Sequence, residues 1–422
     1  MKVFFDMVGC RLNQAEIDAL ALDFAWRQAE IVTKPEQADM IIINTCCVTA
    51  KASADSRKMI RHYQEKYPAK VVSTGCWVSV EGDQAEMISD EVFSNYEKEN
   101  IPLFYLGYSD AKPQDISTKP KLGRRNRTRG FVKIQDGCNN ACSYCLTRIA
   151  RGASVSIKQE AVIKHINTLT SMGVQEVVLT GVQLGSWGKD FLPRNTIAEL
   201  LSSIINNTEV PRIRLSSIEP WDINDSLLQL LEHPRVCPHL HIPIQSGSDS
   251  ILRRMKRPST TKSIRDLLER VRSIAPNAAV TTDVIVGFPG ETDQLFDKSF
   301  EFIKACDFSG GHVFSFSPMP GTEALEMDGK VQESVVKERT RKLLDYFSEQ
   351  NLHFKQQKIG QQAEVLFESA DRNALKKSYI GFTEDYLKVS CASESSLINQ
   401  VNPVLLMGIN SRGVLEGTLI ED

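Results

Sequence analysis

Three cysteines, Cys138, Cys142 and Cys145, stand at CxxxCxxC spacing on one tight loop, directly after the strand-like run Phe131-Val132-Lys133-Ile134-Gln135. Thiolates so spaced can bind a single metal centre. Structural zinc closes a tetrahedron of four protein ligands, commonly two paired arms. Three thiolates without a nearby fourth instead favour a 4Fe-4S cluster with one iron left open, since such clusters are held by cysteine sulfur. A zinc knuckle with a distant fourth ligand is the other reading of the same spacing.

A second group is spread over the first eighty residues. Cys10 and Cys76 each follow a glycine, and Cys46 follows Asn44-Thr45. Each lies just past a short apolar run: Val3–Met7, Met40–Ile43 and Val71–Thr74. The second of these is continuous, as expected for a buried parallel strand. In open α/β sheets the carboxyl ends of the strands form the ligand-binding edge. Cys10, Cys46 and Cys76 are therefore expected to converge on a second metal site. Cys47 adjoins Cys46, and only one of two adjacent side chains is expected to face that site. Cys237, Cys306 and Cys391 fall in no motif and read as small apolar packing residues.

The elements that must position these groups give an α/β fold class in three parts. Residues 1–118 alternate strand and helix, with Ile17, Leu20 and Phe24 at helical spacing, and predict an N-terminal parallel α/β sheet domain. Residues 124–355 continue the alternation through strand-like runs at 131–135, 176–180, 212–216, 239–242, 279–285 and 312–316. Six βα units with right-handed crossovers predict a partial (βα)6 barrel, whose active site forms at the carboxyl ends of the strands. A long amphipathic helix with Val336, Leu343, Phe347 and Phe354 on one face closes it. Residues 356–422 lose the helical period, and runs at 363–367, 386–390, 404–407 and 414–420 predict a small antiparallel β-barrel.

Composition sets limits. The 422 residues carry a net charge of −3, so any nucleic-acid contact must come from local patches. No run reaches transmembrane length and no signal-peptide pattern opens the chain, so the expectation is a cytoplasmic protein without membrane contact. The stretch Lys119–Arg129 holds six basic residues in eleven and reads as a linker, either simply solvated or contacting phosphate. The last part holds six Lys/Arg against nine Asp/Glu. Its candidate RNA edge is Arg372, Lys376 and Lys377, with Tyr379, Phe382 and Tyr386 as stacking surfaces or packing residues.

Taken together the three parts resemble the methylthiotransferase family of radical S-adenosylmethionine (SAM) enzymes, in which the last part is a TRAM domain. VGCRLNQAE, NTC and TGC resemble the family's three N-terminal cysteine motifs, which selects Cys46 over Cys47. KIQDGCNNACSYC resembles the radical SAM motif, and VLTGVQLGSWG, RLSSIEP, HIPIQSGSDSILRRM, TDVIVGFPGET and SPMPGTEA resemble later blocks in the family's order. GCRLNQAE is most similar to the branch acting on N6-threonylcarbamoyladenosine, 3′ to the tRNA anticodon. Other branches act on isopentenyladenosine or on a ribosomal-protein aspartate. Leu146-Thr147-Arg148 departs from the apolar-apolar-proline run commoner in relatives.

The resemblance implies two 4Fe-4S clusters, on Cys10, Cys46 and Cys76 and on Cys138, Cys142 and Cys145, and two uses of SAM. One SAM methylates a sulfur at the first cluster; another yields a 5′-deoxyadenosyl radical that takes the hydrogen from adenine C2. The hard chemistry then belongs to the cofactors, in keeping with the lack of any acid–base constellation. By position Tyr144 packs beside SAM and Thr180 and Gly181 receive its amino group. Ser216, Glu219 and Gln245 serve the ribose or methionine end, and Gly287 admits the adenine edge. Partners implied are a tRNA bearing N6-threonylcarbamoyladenosine and a cellular electron donor, with the protein a monomer. A protein substrate, or a non-catalytic iron–sulfur RNA-binding role, are the competing readings; sustained SAM cleavage would exclude the second.

Overall fold

The computed structural model describes residues 1–107, 128–373 and 377–420. The expected boundary at residues 118–124, and most of the basic stretch, lie outside them.

The first part is a five-stranded sheet in the order Glu30–Ile31, Lys2–Met7, Met40–Thr45, Lys70–Gly75 and Glu91–Phe93. Every pairing is parallel. The central strand Met40–Thr45 is buried throughout, which its unbroken apolar run requires. Met7 lies opposite Asn44, and Thr45 opposite Gly75. The three central strands thus end in line, bringing Cys10, Cys46 and Cys76 to one sheet edge.

The second part has strands Arg129–Lys133, Glu176–Thr180 and Arg212–Leu215 in one sheet, and His239–His241, Ala279–Val286 and Gly310–Ser315 in another. All of these pairs are parallel. Bridges Ile213 to Val236 and Ser217 to His241 join the two sheets, giving the expected six-stranded partial barrel. Its core is one apolar cluster of Val, Ile and Leu from strands and surrounding helices. Helix Arg11–Trp26 of the first part lies against the open edge strand Arg129–Lys133. Helix Glu333–Lys358 buries Leu343 and Phe347 in the barrel core, while Phe354 packs on the third part.

The third part is a closed barrel of Gln362–Ala370, Ser378–Phe382, Lys388–Ala392, Leu415–Leu419 and Val401–Ile409. Strand Ser378–Phe382 was not among the expected runs. Lys388–Ala392 pairs parallel with Leu415–Leu419, and the other pairings are antiparallel. Tyr386, expected to open a strand, sits in the preceding turn at φ +71°. Among the described residues no helix is long and apolar enough to cross a membrane.

Candidate active site between three domains

At the N-terminal sheet edge the positive φ of Gly9 turns the chain beside Cys46. A Cβ on Gly9 would stand 2.7 Å from Cys46 Cβ and 3.0 Å from its Sγ, so only glycine fits. Cys10, Cys46 and Cys76 lie close enough to interact electrostatically. Burial pushes Cys46 up to about 11. Cys76 is instead lowered to about 6, first by a hydrogen bond from the Cys47 thiol, against burial, with help from the Arg151 guanidinium. Cys47 packs in the apolar core of this first part, next to Cys76.

Arg151 reaches this edge from the second domain. Its Nε donates to Cys76 Sγ at 3.1 Å, Nη1 to Glu16 at 2.8 Å and Asp136 at 2.9 Å, and Nη2 to Asn13 at 2.9 Å. Its side chain is 3% exposed. Burial alone would raise the Glu16 carboxyl, but Lys98 and Arg151 hold it well below its ordinary value. Arg151 stands six residues after Cys145, at the end of the short helix Thr147–Arg151. One side chain thus ties the two cysteine loops together.

Around the barrel loop, the Asn140 and Thr147 backbone N–H groups donate to Cys138 and Cys145 sulfur, each at 3.4 Å. Ser143 holds the loop down, its N–H donating to Met255 O at 3.1 Å and its hydroxyl to Arg254 O at 2.9 Å. Cys142 is raised to about 11 by burial, opposed by Arg257. Arg257 faces Cys142, grips both oxygens of Glu219 and lies 4.6 Å over the Trp221 ring. Glu219 is thus engaged in an ion pair. Tyr144 is half-buried edge-on against Phe288, with centroids 6.1 Å apart.

The donor set fits an iron–sulfur cluster. Each set offers three thiolates, and backbone N–H groups donate to the Cys138 and Cys145 sulfurs, as they do to cluster-ligating thiolates. Cys237, Cys306 and Cys391 are buried elsewhere in the domain cores.

A cavity of about 610 Å³ opens where the three domains meet; Cys10 and Arg11, Thr180, Gly181 and Ser216, and Asp385 and Tyr386 line it. Thr180, Gly181 and Ser216 are therefore brought together at the strand ends, as expected. Gln245 adopts φ +67° and bridges Val284 through its backbone. Gly287, expected to admit adenine, is accounted for by packing: at φ +75°, a Cβ there would stand 2.4 Å from Val336 Cγ2.

The proposed RNA-stacking aromatics are used inside the protein. Tyr386 stacks on Phe382 at 5.2 Å, and its hydroxyl accepts from Arg11 at 3.0 Å and Arg129 at 3.2 Å. Arg214 lies 4.8 Å over the ring. Tyr379 is buried in the small barrel. Arg372 and Lys377 are exposed; Lys376 lies outside the described residues. Sequence reading missed Arg151, Glu16, Arg257 and Arg11, none of which has a local motif apart from the cysteine blocks.

Residues 132–303 match the model described as the radical SAM superfamily, and residues 2–94 match one described as Uncharacterized protein family UPF0004. The threonylcarbamoyladenosine tRNA methylthiotransferase MtaB of Thermotoga maritima is 34% identical over 98% of this chain and 96% of its own length. The tRNA-2-methylthio-N(6)-dimethylallyladenosine synthase of Pelotomaculum thermopropionicum is 31% identical over 96% of this chain and 93% of its own. The solved radical SAM methyltransferase TsrM from Kitasatospora setae shares the fold, with TM-score 0.57 and 14% identity over 76% of each chain. Matched over nearly its whole length, with both cysteine sets in place, the chain belongs to the methylthiotransferase family of radical SAM enzymes.

Proposed function

We propose that this protein inserts a methylthio group at C2 of N6-threonylcarbamoyladenosine 37 in tRNA. The observation that carries the reading is the shared cavity. Cys10 of the first cysteine set and the barrel strand ends Thr180, Gly181 and Ser216 face one space of about 610 Å³. A sulfur-carrying centre and a radical-generating centre must both reach a single adenine carbon, and this space lies between the first cysteine set and strand ends of the barrel that carries the second.

Cys138, Cys142 and Cys145 would hold the 4Fe-4S cluster that binds SAM, and Cys10, Cys46 and Cys76 the second cluster. Bound there, these groups supply the radical and the transferable sulfur. The chain's own residues hold and shield them. Arg151 fixes the spacing of the two loops and compensates thiolate charge at Cys76. Arg257 places a cation against Cys142, and Tyr144 with Phe288 keeps the barrel mouth apolar. Thr180, Gly181, Ser216 and Gln245 present strand-end polar groups to SAM, while Glu219 acts through Arg257. The buried Arg151, Arg257 and Phe288 keep water from their side of the site, where it would quench reactive intermediates.

The reading places the enzyme in the cytoplasm as a monomer supplied by a cellular electron donor. Its test is mass spectrometry of tRNA nucleosides from cells lacking the protein, with and without the gene restored. Return of 2-methylthio-N6-threonylcarbamoyladenosine supports it. Return of only the isopentenyl product would change the substrate, and no change in any methylthio nucleoside would point to a protein substrate.

A further inference from the structure

The substrate named above differs from its isopentenyl counterpart most plainly at the far end of the N6 substituent. Its N6 substituent ends in a carboxylate and a hydroxyl; the other is a hydrocarbon. The wall of the shared cavity carries charged and polar groups whose partners can be counted.

Arg11 begins the helix Arg11–Trp26 and reaches into the cavity. Its Nη2 donates to the Tyr386 hydroxyl at 3.0 Å, and its guanidinium lies 5.2 Å over that ring. Among the described residues it has no carboxylate partner, unlike the neighbouring Arg129 and Arg214, which pair with Glu368 and Glu176. The cavity's own acids are engaged. Asp385 pairs with Lys358 at 2.8 Å, and Asp283 accepts from His241 at 3.1 Å and His312 at 3.0 Å. Arg11 is thus an uncompensated cation in a partly enclosed space.

Two imidazoles add direction. His312 spends Nδ1 on Asp283, which leaves Nε2 as its remaining polar atom, on a ring lining the cavity. His239 is 3% exposed, and its Nδ1 is a buried polar atom with no hydrogen-bond partner. An unpartnered buried polar atom is costly unless a ligand satisfies it. His241, Asp283 and His312 do bring three donor atoms within 4.8 Å of one another. However, His241 spends its second nitrogen on Thr281 at 2.9 Å, so the trio is closed on itself and offers the cavity only His312.

We propose that Arg11, with His312 and His239, forms a subsite for the threonyl carboxylate and hydroxyl, and so selects this adenosine over one bearing an isoprenoid group. The inference rests on the substrate reading above. A guanidinium fork suits a carboxylate. A hydrocarbon in the same place would cover the Arg11 guanidinium without supplying the counter-charge it lacks, which is how a polar site rejects an apolar analogue.

The test uses the holoprotein with both clusters reconstituted, and synthetic anticodon stem-loops carrying threonylcarbamoyladenosine, its carboxamide, or the dimethylallyl adenosine. Charge-assisted hydrogen bonds of this kind correspond to about 10- to 100-fold in affinity. Wild type is expected to prefer the carboxylate over the carboxamide by that factor. Arg11→Gln should bind the two equally, and His312→Gln should show a reduced preference, each keeping wild-type iron content. Because Arg11 adjoins Cys10, His312→Gln decides the matter if Arg11→Gln loses iron. A wild type blind to the carboxylate overturns the inference, as does an undiminished preference in His312→Gln, or a preference that survives in Arg11→Gln at full iron. Tight binding and methylthiolation of only the dimethylallyl stem-loop would instead mean that the substrate reading has failed.

Discussion

Arg151 donates from Nε to the Cys76 sulfur at 3.1 Å, although 75 residues and a domain boundary separate them. The same guanidinium holds Glu16 and Asp136. Removing one member of such a buried charge network leaves another charge uncompensated, at a cost of roughly 3–5 kcal/mol. Arg151→Gln should lower stability by about that amount in urea unfolding. Adding Glu16→Gln should cost more stability still, because it strands the buried Lys98 that pairs with Glu16 at 2.6 Å, but less than it would cost alone. Strict additivity of the two changes would mean that they are not coupled.

The two cysteine sets should be separable by iron content. Alanine at Cys138, Cys142 and Cys145 should abolish 5′-deoxyadenosine formation and leave about half the iron, since each set ligates its own cluster. Alanine at Cys10, Cys46 and Cys76 should also leave about half the iron, retain SAM cleavage and abolish methylthio transfer. A protein devoid of iron after the first change would show that the sets are not independent. Cys47→Ala is the informative companion, since Cys47 packs in the same core cluster as Cys76. If Cys46 is the ligand, Cys47→Ala keeps full iron.

Tyr386 clamps the small barrel onto the other two domains through Arg11, Arg129 and Arg214. Tyr386→Phe keeps the ring and loses only the hydroxyl, at a cost of about 1 kcal/mol. Tyr386→Ala also removes the cation–π contacts, each worth about 0.5–2 kcal/mol, and should therefore be clearly worse. Thermal denaturation with limited proteolysis between residues 358 and 388 would rank them. Equal behaviour would show that the ring, and not its hydroxyl, is irrelevant to docking.

What could be read in advance followed local signals. Glu176–Thr180 is a strand as expected, because a β-branched apolar run between turns has few other fates. The three N-terminal cysteines meet because parallel register lines up strand ends. The polar links between domains carry no such signal. Arg151 and Glu16 are 135 residues apart, and nothing in the spacing of charges along a chain says which pairs will meet. Arg257 claims Glu219 for the same reason. Strand Ser378–Phe382 was missed because Gly381 interrupts its apolar pattern. That glycine is required by closeness, since a Cβ would stand 2.5 Å from Val365 Cγ1. Phe382 and Tyr386 looked free to stack on bases because the arginines that cover them come from other domains.

His312 supplies a pH test compatible with intact clusters. Its hydrogen bond to Asp283 raises the imidazole above its ordinary value, against burial and the nearby Arg11. The unfolded imidazole titrates near 6.5. A raised folded value means that the pair stabilises fully below about 6.5 and that this contribution is lost as pH rises through the folded value. The His312 side chain is 70% exposed, so solvent screening keeps the effect small. His312→Gln should therefore unfold more readily than wild type at pH 6, with the gap closing by about pH 9. The Asp283 carboxyl, held well below its ordinary value, stays ionised across this range. A gap that widened with pH would mean that the ring is held by something other than the Asp283 carboxylate.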